Sequence, residues 1–247
     1  MPVLDLTRLL RAKGPGGEIA AIKGPGFDWL AMPVAGPNAA GWLFASPLDA
    51  SAGETVPLRD HTGAVVGIIY QGLDDTSTSS DPTIGSDGWD LDGTQRLTIP
   101  LTGALGGGRD STDIMVATTN NDGAYYVYDA TSFGMYVAMG SGSSTSIGGG
   151  VAEAAVDGVV IPSATRNDLF DAISDGTPHV VRGTANMTGK ASITIGARYD
   201  MAGSLTGKIH GVAIYASDTA ASAPSRDAAR DHLRALVARL SSAVALP

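Results

Sequence analysis

Paired carboxylates are the residues that most directly suggest chemistry in this sequence, because a glycosidase needs two of them about 5–9 Å apart. The chain has 25 acidic residues, and 22 of them are aspartate. Aspartate favours turns because its side chain bonds nearby backbone, whereas glutamate favours helices. The three glutamates, Glu18, Glu54 and Glu153, form no Glu-x-Asp-x-Glu pattern along one strand. The sequence therefore predicts a protein that is not an enzyme, with a polysaccharide-degrading glycosidase as the alternative.

Histidine is the second candidate for chemistry, and the sequence has four: His61, His179, His210 and His232. Their spacing does not match a catalytic triad, and the sequence contains no Gly-x-Ser-x-Gly pattern of a serine hydrolase. His179 lies in a predicted strand, without a second histidine or a carboxylate at the spacing of a metal site. We predict that its ring packs in the strand and that its nitrogens bond backbone.

Tyrosines near residue 126 are candidates for sugar binding, because an aromatic ring offers an apolar face beside hydrogen-bonding groups. Strand alternation places two of them on one face and requires some of the group to lie in the core, so core packing is the alternative. The adjoining turn at 120–123 and a second turn at 196–203 supply polar side chains. The predicted glycan-binding residues are Asp122, Tyr126, Tyr128, Arg198, Tyr199 and Asp200.

The overall composition predicts β structure. Hydrophobic residues make up 43% of the 247 residues and charged residues only 17%, with 33 glycines and 13 prolines. This balance is typical of many turns and few solvated helices. The net charge of −9 argues against binding to a nucleic acid backbone, which needs clustered Lys and Arg. Without cysteine, the chain has neither disulfides nor thiolate metal ligands.

No stretch of the sequence reaches the roughly 20 apolar residues of a membrane-spanning helix. The first residues, MPVLDLTRLLRAKG, also lack the apolar run and cleavage site of a secretion signal. We therefore expect no membrane insertion and no signal peptide.

Alternating residues between turns predict strands through most of the chain from residue 55. In the region 172–216 we predict four strands, at 177–182, 183–187, 191–197 and 208–216, joined as an antiparallel meander with a slip at Gly211. Residues 88–101 are predicted as strand, turn, strand, and 151–162 as a hairpin that turns at Asp157 and Gly158. We also predict a helical turn at 167–173 and a helix at 225–240 with a single apolar stripe.

Several of these segments together resemble a known family. The segments are DGTPHVV at 175–181, SITIGARYD at 192–200, LTGKIHGVAIY at 205–215, GWDLDGTQRLTIP at 88–100, AEAAVDGVVIP at 152–162 and the turn DHTG at 60–63. They are similar to concanavalin A-like lectin/glucanase (laminin-G-like) jelly-roll domains, of the kind found in phage or phage-like virion proteins. The resemblance covers roughly residues 55–240.

The resemblance implies an all-β fold: an antiparallel jelly-roll β-sandwich with a C-terminal α-helix at residues 55–247, preceded by an irregular N-terminal segment at 1–54. For that segment two interpretations stay open, a flap that covers the sandwich or an attachment segment that joins a particle. The aromatic residues for attachment are Phe27, Trp29, Trp42 and Phe44.

Some laminin-G-like domains hold calcium with aspartates at one rim. The resemblance therefore leaves Asp122, Asp157 and Asp200 as candidate calcium ligands, with turn formation as their alternative role. No other cofactor is expected.

The predicted function is that of a non-enzymatic virion surface protein that binds host cell-surface polysaccharide. Its expected partners are other virion or particle proteins, bound through the N-terminal segment, and the polysaccharide; a homo-oligomer stays open. A purely structural particle subunit without a ligand is a further alternative beside the glycosidase.

Overall fold

The structure is a computed structural model that describes residues 41–50, 55–106, 108–120, 125–130, 136–140, 142–148, 150–161, 165–219, 221–240 and 244–247. Within these ranges no helix is long and apolar enough to cross a membrane. The strands are β1 (Trp42–Ala45), β2 (Thr55–Asp60), β3 (Val65–Gln71), β4 (Thr83–Ile84), β5 (Trp89–Asp92), β6 (Leu97–Pro100), β7 (Ser111–Asn120), β8 (Tyr125–Ala130), β9 (Tyr136–Met139), β10 (Val151–Val156), β11 (Val159–Val160), β12 (Pro178–Ala185), β13 (Ser192–Ile195) and β14 (Thr206–Ser217). The helices are α1 (Arg166–Ile173) and α2 (Ala223–Leu240).

The strands pair antiparallel in a path that folds back on itself. Its order is β11-β10-β12-β7-β14-β1-β2-β3-β6-β13-β8-β9, with β5 paired to β14 and β4 to β5. We call β11 to β1 in this order the first half and β2 to β9 the second half. Tyr128 of β8 and Val137 of β9 occupy the space into which a side chain on Gly183 of β12 would project. The two halves therefore face each other across the main apolar core.

β14 lies near the centre of the first half, where it pairs with β7, β1 and β5. Ile209, Val212 and Ile214 point into the core between the halves, and the pairing with β7 shifts between Ile209 and Gly211. A Cβ atom on Gly211 would come within 2.8 Å of Leu233 Cδ1 of α2, so any other residue here would force this leucine to shift. The predicted slip at Gly211 is confirmed.

α2 packs on the outer face of the first half. Outward-facing side chains of β1, β7, β12 and β14 form a second apolar cluster with this helix. Trp42 of β1 also donates from Nε1 to Ser225 Oγ of the helix at 2.9 Å. The predicted helix is confirmed, and it begins at Ala223, one residue before Pro224. The helical residues in the cluster are Ala229, Leu233, Leu236 and Val237.

Local sequence signals fix the hairpin and the short helix. Asp157 and Gly158, between β10 and β11, have φ values of 53° and 89°, as expected for two left-handed residues of a type I′ turn. Before α1, Thr165 Oγ1 accepts from the Asp168 N–H at 3.2 Å, and the Asp168 carboxylate accepts from the Thr165 N–H at 2.6 Å. This capping box stabilises the helix start. Both predictions, the hairpin and the helical turn, are confirmed.

The predicted meander at 172–216 is wrong. β12 is a single strand that includes two of the predicted strands, and it pairs with β10 and β7. β13 pairs with β6 and β8 in the second half, whereas β14 returns to the first half. Likewise β5 and β6 are predicted to be neighbours around one turn. In the structure β5 pairs with β14, whereas β6 pairs with β3 and β13. Alternation shows that one face of a strand is buried, but it does not identify the strand beside it.

β1 lies inside the segment that the sequence assigned to attachment. Its residues pair with β14 on one side and with β2 on the other, as in the Leu43 pairs with Ile214 and Asp60. Residues 42–45 therefore belong to the sheet, and the predicted boundary at residue 54 falls between two paired strands. Residues 1–40 lie outside the described residues.

Candidate functional site

The turn at residues 196–203 joins β13 to β14 and contains three of the predicted glycan-binding residues. Gly196 has φ 78°, and Met201 has φ 65°, which is uncommon for a residue with a side chain. The Met201 N–H donates to Arg198 O at 2.9 Å, and the Ala202 N–H donates to Asp200 Oδ1 at 3.1 Å. These bonds hold the backbone of the turn, and so they define the points from which its side chains project.

Arg198, Tyr199 and Asp200 form a connected group on this turn. Arg198 Nη2 lies 2.7 Å from Asp200 Oδ2, and the Arg198 guanidinium carbon lies 5.9 Å from the centre of the Tyr199 ring. Arg198 and Tyr199 are half-buried, and Asp200 is exposed. The group therefore combines an aromatic ring, a cationic donor and an anionic acceptor within one short turn. We call these three residues the turn triplet.

Two buried charged residues of the second half anchor the backbone of Tyr199. Asp129 Oδ2 accepts from the Tyr199 N–H at 3.1 Å, and Arg96 Nη1 donates to Tyr199 O at 2.9 Å. Arg96 is 6% exposed and Asp129 is 1% exposed. The triplet therefore lies on a rigid support, which favours precise presentation of its side chains.

Burial raises the pKa of the Asp129 carboxyl, and the charge of Asp200 acts in the same direction, whereas the hydrogen bond from Tyr199 opposes both. Among the described residues, Asp129 Oδ1 has no hydrogen-bond partner. A carboxyl with a raised pKa is the kind of group that can act as a general acid. Asp129 is not among the glycan-binding residues predicted from the sequence. Its position at the end of a tyrosine-rich strand is the sequence feature that could have indicated it.

The other predicted glycan residues do not join the turn triplet. Tyr128 is fully buried between the halves, and burial raises the pKa of its hydroxyl above the usual range. The prediction that it contacts a sugar is therefore corrected to core packing. Asp122 and the side chain of Tyr126 lie outside the described residues.

Two of the four predicted attachment residues belong to the core of the protein. Trp42 and Phe44 are fully buried in β1, where Trp42 packs on Tyr215 at 5.5 Å between ring centroids and Phe44 packs on His232 at 4.3 Å. They stabilise the contact with α2 and present no surface for attachment. Phe27 and Trp29 lie outside the described residues.

The candidate calcium ligands do not converge. Asp157 lies in the β10–β11 turn, where it bonds His179, and Asp200 bonds Arg198 and Ala202 in the turn between β13 and β14. Asp122 lies outside the described residues. Within the described ranges, no three His, Asp or Glu side chains are placed to hold a metal ion.

His179 lies between two aspartates. Its Nδ1 is 2.7 Å from Asp157 Oδ2, and its Nε2 is 3.1 Å from Asp175 Oδ1 and 3.2 Å from Thr177 Oγ1. Its nitrogens thus bond carboxylates, and the prediction that they bond backbone is wrong. The Thr177 hydroxyl donates to Asp175 at 2.7 Å, so it is committed to a local turn and is not activated as a nucleophile.

Burial of the His179 ring favours its neutral form, but the hydrogen bonds and charges of Asp157 and Asp175 outweigh burial and raise the pKa of His179. Hydrogen bonds from Thr177 and then from His179 lower the pKa of Asp175 to about 2. The protonated ring therefore links the β10–β11 turn to the start of β12.

Replacing His179 by glutamine (H179Q) should reduce stability most at low pH. A raised folded-state pKa means that the folded protein binds this proton more tightly than the unfolded chain, whose histidine pKa is about 6.5. The resulting stabilisation is fully present below about pH 6.5 and is lost as the pH rises through the folded-state pKa. Urea unfolding of the two proteins at about pH 5.5 and 8.5 measures this difference. A difference that stays constant, or grows with pH, contradicts the arrangement.

A buried charged cluster, which sequence reasoning missed, joins the first half to α2. Arg226 of α2 donates to Asp113 of β7 from Nε at 2.9 Å and from Nη2 at 3.2 Å. Arg182 of β12 bonds Asp113 and Glu153, and Glu153 lies 3.2 Å from Arg226. The Asp113 side chain has no exposed surface. The available signal was a set of charged residues within otherwise apolar strands.

Two cavities lie beside this cluster. The larger, of about 550 Å³, lies along β10 and β11 and includes the hydroxyl residues Ser144, Ser146 and Thr165. The smaller, of about 220 Å³, lies between the same strands and α2. Glu153 and Val160 contribute to both linings. The hydrogen bond that Arg182 donates and the charges of both arginines lower the pKa of Glu153, so this carboxylate is ionised and is not a general acid.

No protein-family model matches the chain, and no curated protein sequence matches it. A structure of Trypanosoma rangeli sialidase is 11% identical, covers 78% of this chain and 33% of its own, and has a TM-score of 0.39. A structure of the same sialidase in complex with sialic acid is 11% identical, covers 81% and 33%, and has a TM-score of 0.37. The chain spans about a third of the length of these structures. A likeness this distant carries no argument about topology, substrate or activity.

Proposed function

We propose that this protein is a non-enzymatic carbohydrate-binding module of the jelly-roll type, carried on the surface of a virion or phage-like particle. In this proposal it binds host cell-surface polysaccharide through the turn triplet. The observation that carries the proposal is the fixed geometry of Arg198, Tyr199 and Asp200. Two facing halves of antiparallel strands support the jelly-roll assignment. The virion assignment rests on the sequence resemblance.

The chemistry of the triplet suits a sugar. A tyrosine ring offers an apolar face for the C–H side of a sugar ring, and the neighbouring charged groups can bond its hydroxyls. Because Asp129 and Arg96 hold the Tyr199 backbone, little backbone conformational entropy is lost on binding. The particle partner of the proposal is a protein bound through residues 1–40, which include Phe27 and Trp29, since Trp42 and Phe44 belong to the core.

A glycosidase is the second candidate, and Asp129 is the observation that favours it. Its raised pKa and its unpartnered Oδ1 suit a general acid close to Asp200. Against this, Asp129 is 1% exposed and lies beneath the Tyr199 backbone, so a substrate does not reach it unless the turn moves. The binding module is therefore the better supported function.

A site of this size binds weakly as a single copy. A few hydrogen bonds and one stacked ring correspond to dissociation constants of about 1 mM to 1 μM. Many copies on one particle raise the effective concentration and gain a factor on the order of 10² to 10⁴. We therefore expect a monomer that binds feebly and an assembled form that adheres.

The test is adhesion of a multivalent form of the protein to candidate host cells with and without their surface polysaccharide. The wild type should bind only cells that carry the polysaccharide. Tyr199→Ala should lower monovalent affinity about tenfold or more, because both the stacking face and its support for Arg198 are lost. Arg234→Ala is the control for truncating a large surface side chain away from the turn; Arg234 pairs with Asp231 at 3.0 Å on α2, and its loss should leave the affinity unchanged.

Equal adhesion to both kinds of cell removes the proposed function. Release of reducing sugar from the polysaccharide favours the glycosidase. If Asp129→Asn then abolishes this release, Asp129 is the general acid.

A further inference from the structure

The cleft of about 220 Å³ between α2 and the strands β10 to β12 combines apolar side chains with arginines. It lies on the outer face of the first half, whereas the turn triplet lies in the connection from β13 to β14. The apolar lining residues are Met115, Val160, Val180 and Ala223, the arginines are Arg182, Arg226 and Arg230, and the acidic residues are Glu153 and Asp227. Such a cleft is amphipathic, so its ligand must be as well.

The three arginines differ in what binds them. Arg182 and Arg226 are held by the carboxylates of Asp113 and Glu153. Arg230 lies 3.2 Å from Asp227, whose side chain is 62% exposed. The Arg230 side chain is only 18% exposed, but its partner lies largely in solvent, so Asp227 can leave the pair and remain hydrated. Arg230 is therefore the cation in this cleft that a ligand can bind at least cost.

Two further contacts position Arg230 for this role. Its Nη1 donates to the backbone oxygen of Asp157 at 3.1 Å, and a side chain on Gly158 would collide with its guanidinium. The guanidinium is thus held against the β10–β11 turn at the cleft. Among the described residues, its buried Nε has no hydrogen-bond partner. A buried donor without an acceptor is costly, so an additional acceptor at Arg230 is favourable.

We propose that this cleft binds a small carboxylate with a compact apolar body. The carboxylate replaces Asp227 on Arg230, and the body lies against Met115, Val160 and Val180. The volume is below the roughly 300 Å³ at which pockets for drug-sized ligands begin, so the ligand is a short chain or a single small ring. The binding site is distinct from the turn triplet and does not depend on the glycan function.

The first experiment is an NMR titration of the ¹⁵N-labelled full chain with butyrate and with its neutral isostere butyramide. We expect butyrate to shift amide signals of Val160, Ala223 and Arg230, with a dissociation constant on the order of 1 mM. Butyramide should bind at least about tenfold more weakly, because a charge-assisted bond to Arg230 is lost. Signals of the turn triplet should stay unchanged.

Two matched pairs of variants then test the assignment. Asp227→Asn removes the carboxylate that competes for Arg230, so butyrate should bind about two- to fivefold more tightly. Arg230→Gln should weaken butyrate binding about tenfold or more. Asp231→Asn and Arg234→Gln change the equivalent pair one turn further along α2, away from the cleft, and should leave the affinity unchanged.

Equal binding of butyrate and butyramide overturns the proposal, because the cleft then recognises only apolar surface. The same conclusion follows if Asp227→Asn and Asp231→Asn have the same effect, or if butyrate leaves the signals around the cleft unshifted. Melting curves of each variant establish that the compared proteins are folded. The gain in affinity of Asp227→Asn is decisive, because a damaged protein does not produce it.

Discussion

Replacing Asp113 by alanine should lower the free energy of unfolding by about 3–5 kcal/mol, because removing one partner of a buried ion pair leaves the other charge uncompensated. Asp113 has no exposed side-chain surface and accepts from Arg226 twice, at 2.9 and 3.2 Å, and from Arg182 at 3.4 Å. Without it, the one carboxylate of Glu153 faces both guanidinium charges, and the neutral Thr184 hydroxyl is their other shared acceptor. Urea unfolding followed by circular dichroism measures the loss.

The control for this prediction is Asp231→Ala. Asp231 pairs with Arg234 at 3.0 Å on the same helix, but its side chain is 62% exposed, so its removal should cost at most about 0.5 kcal/mol. Asp113→Asn keeps the shape and removes the charge, and it should fall between the two. If Asp113→Ala costs no more than Asp231→Ala, the cluster does not hold α2 on the sheet.

Replacing Leu236 by aspartate should lower the free energy of unfolding by about 3 kcal/mol or more. Leu236 is 1% exposed and lies in the apolar cluster between α2 and the first half. The substitution removes a buried leucine side chain and places an unpaired carboxylate in its position. Thermal and urea unfolding both report the change.

Ala238→Asp is the matched control for that variant. Ala238 is exposed on the same helix, so the introduced charge and the change in helix propensity are similar while no apolar contact is lost. It should cost less than about 1 kcal/mol. If both variants lower the free energy of unfolding by a similar amount, the substitution destabilises the helix itself and not its packing on the sheet.

The elements that the sequence predicted well are those with local causes. The helix at 225–240 has a stripe of apolar residues, the 151–162 hairpin has an Asp-Gly turn, and the slip in β14 has a glycine at residue 211. Each signal lies within a few residues of the structure that it specifies. β1 was missed because its four residues are all apolar and show neither the period of a helix nor the alternation of a half-buried strand. Its burial depends on strands far along the chain, so no nearby residue indicates it.

The sites were harder to predict for the same reason. The turn triplet was found because its three residues are consecutive, whereas its support comes from residues distant in sequence, Arg96 just before β6 and Asp129 in β8. Tyr128 and Tyr199 are both followed directly by an aspartate, and only the packing of the two halves makes the first a core residue. The cluster around Asp113 required the register of β7, β10 and β12 together with the docking of α2.

The place of β1 in the sheet has a consequence for how the protein is made. Leu43 pairs with Ile214, so about 170 residues separate the partners of a central strand pair. At a synthesis rate of roughly 5–20 residues per second, a ribosome needs about 10–35 s to make the intervening chain. Trp42 and Phe44 lack their partners in β14 and α2 throughout that time. The first half of the sheet therefore closes only after synthesis of β14, and loop closure of this length makes that step slow compared with the hairpins that form locally.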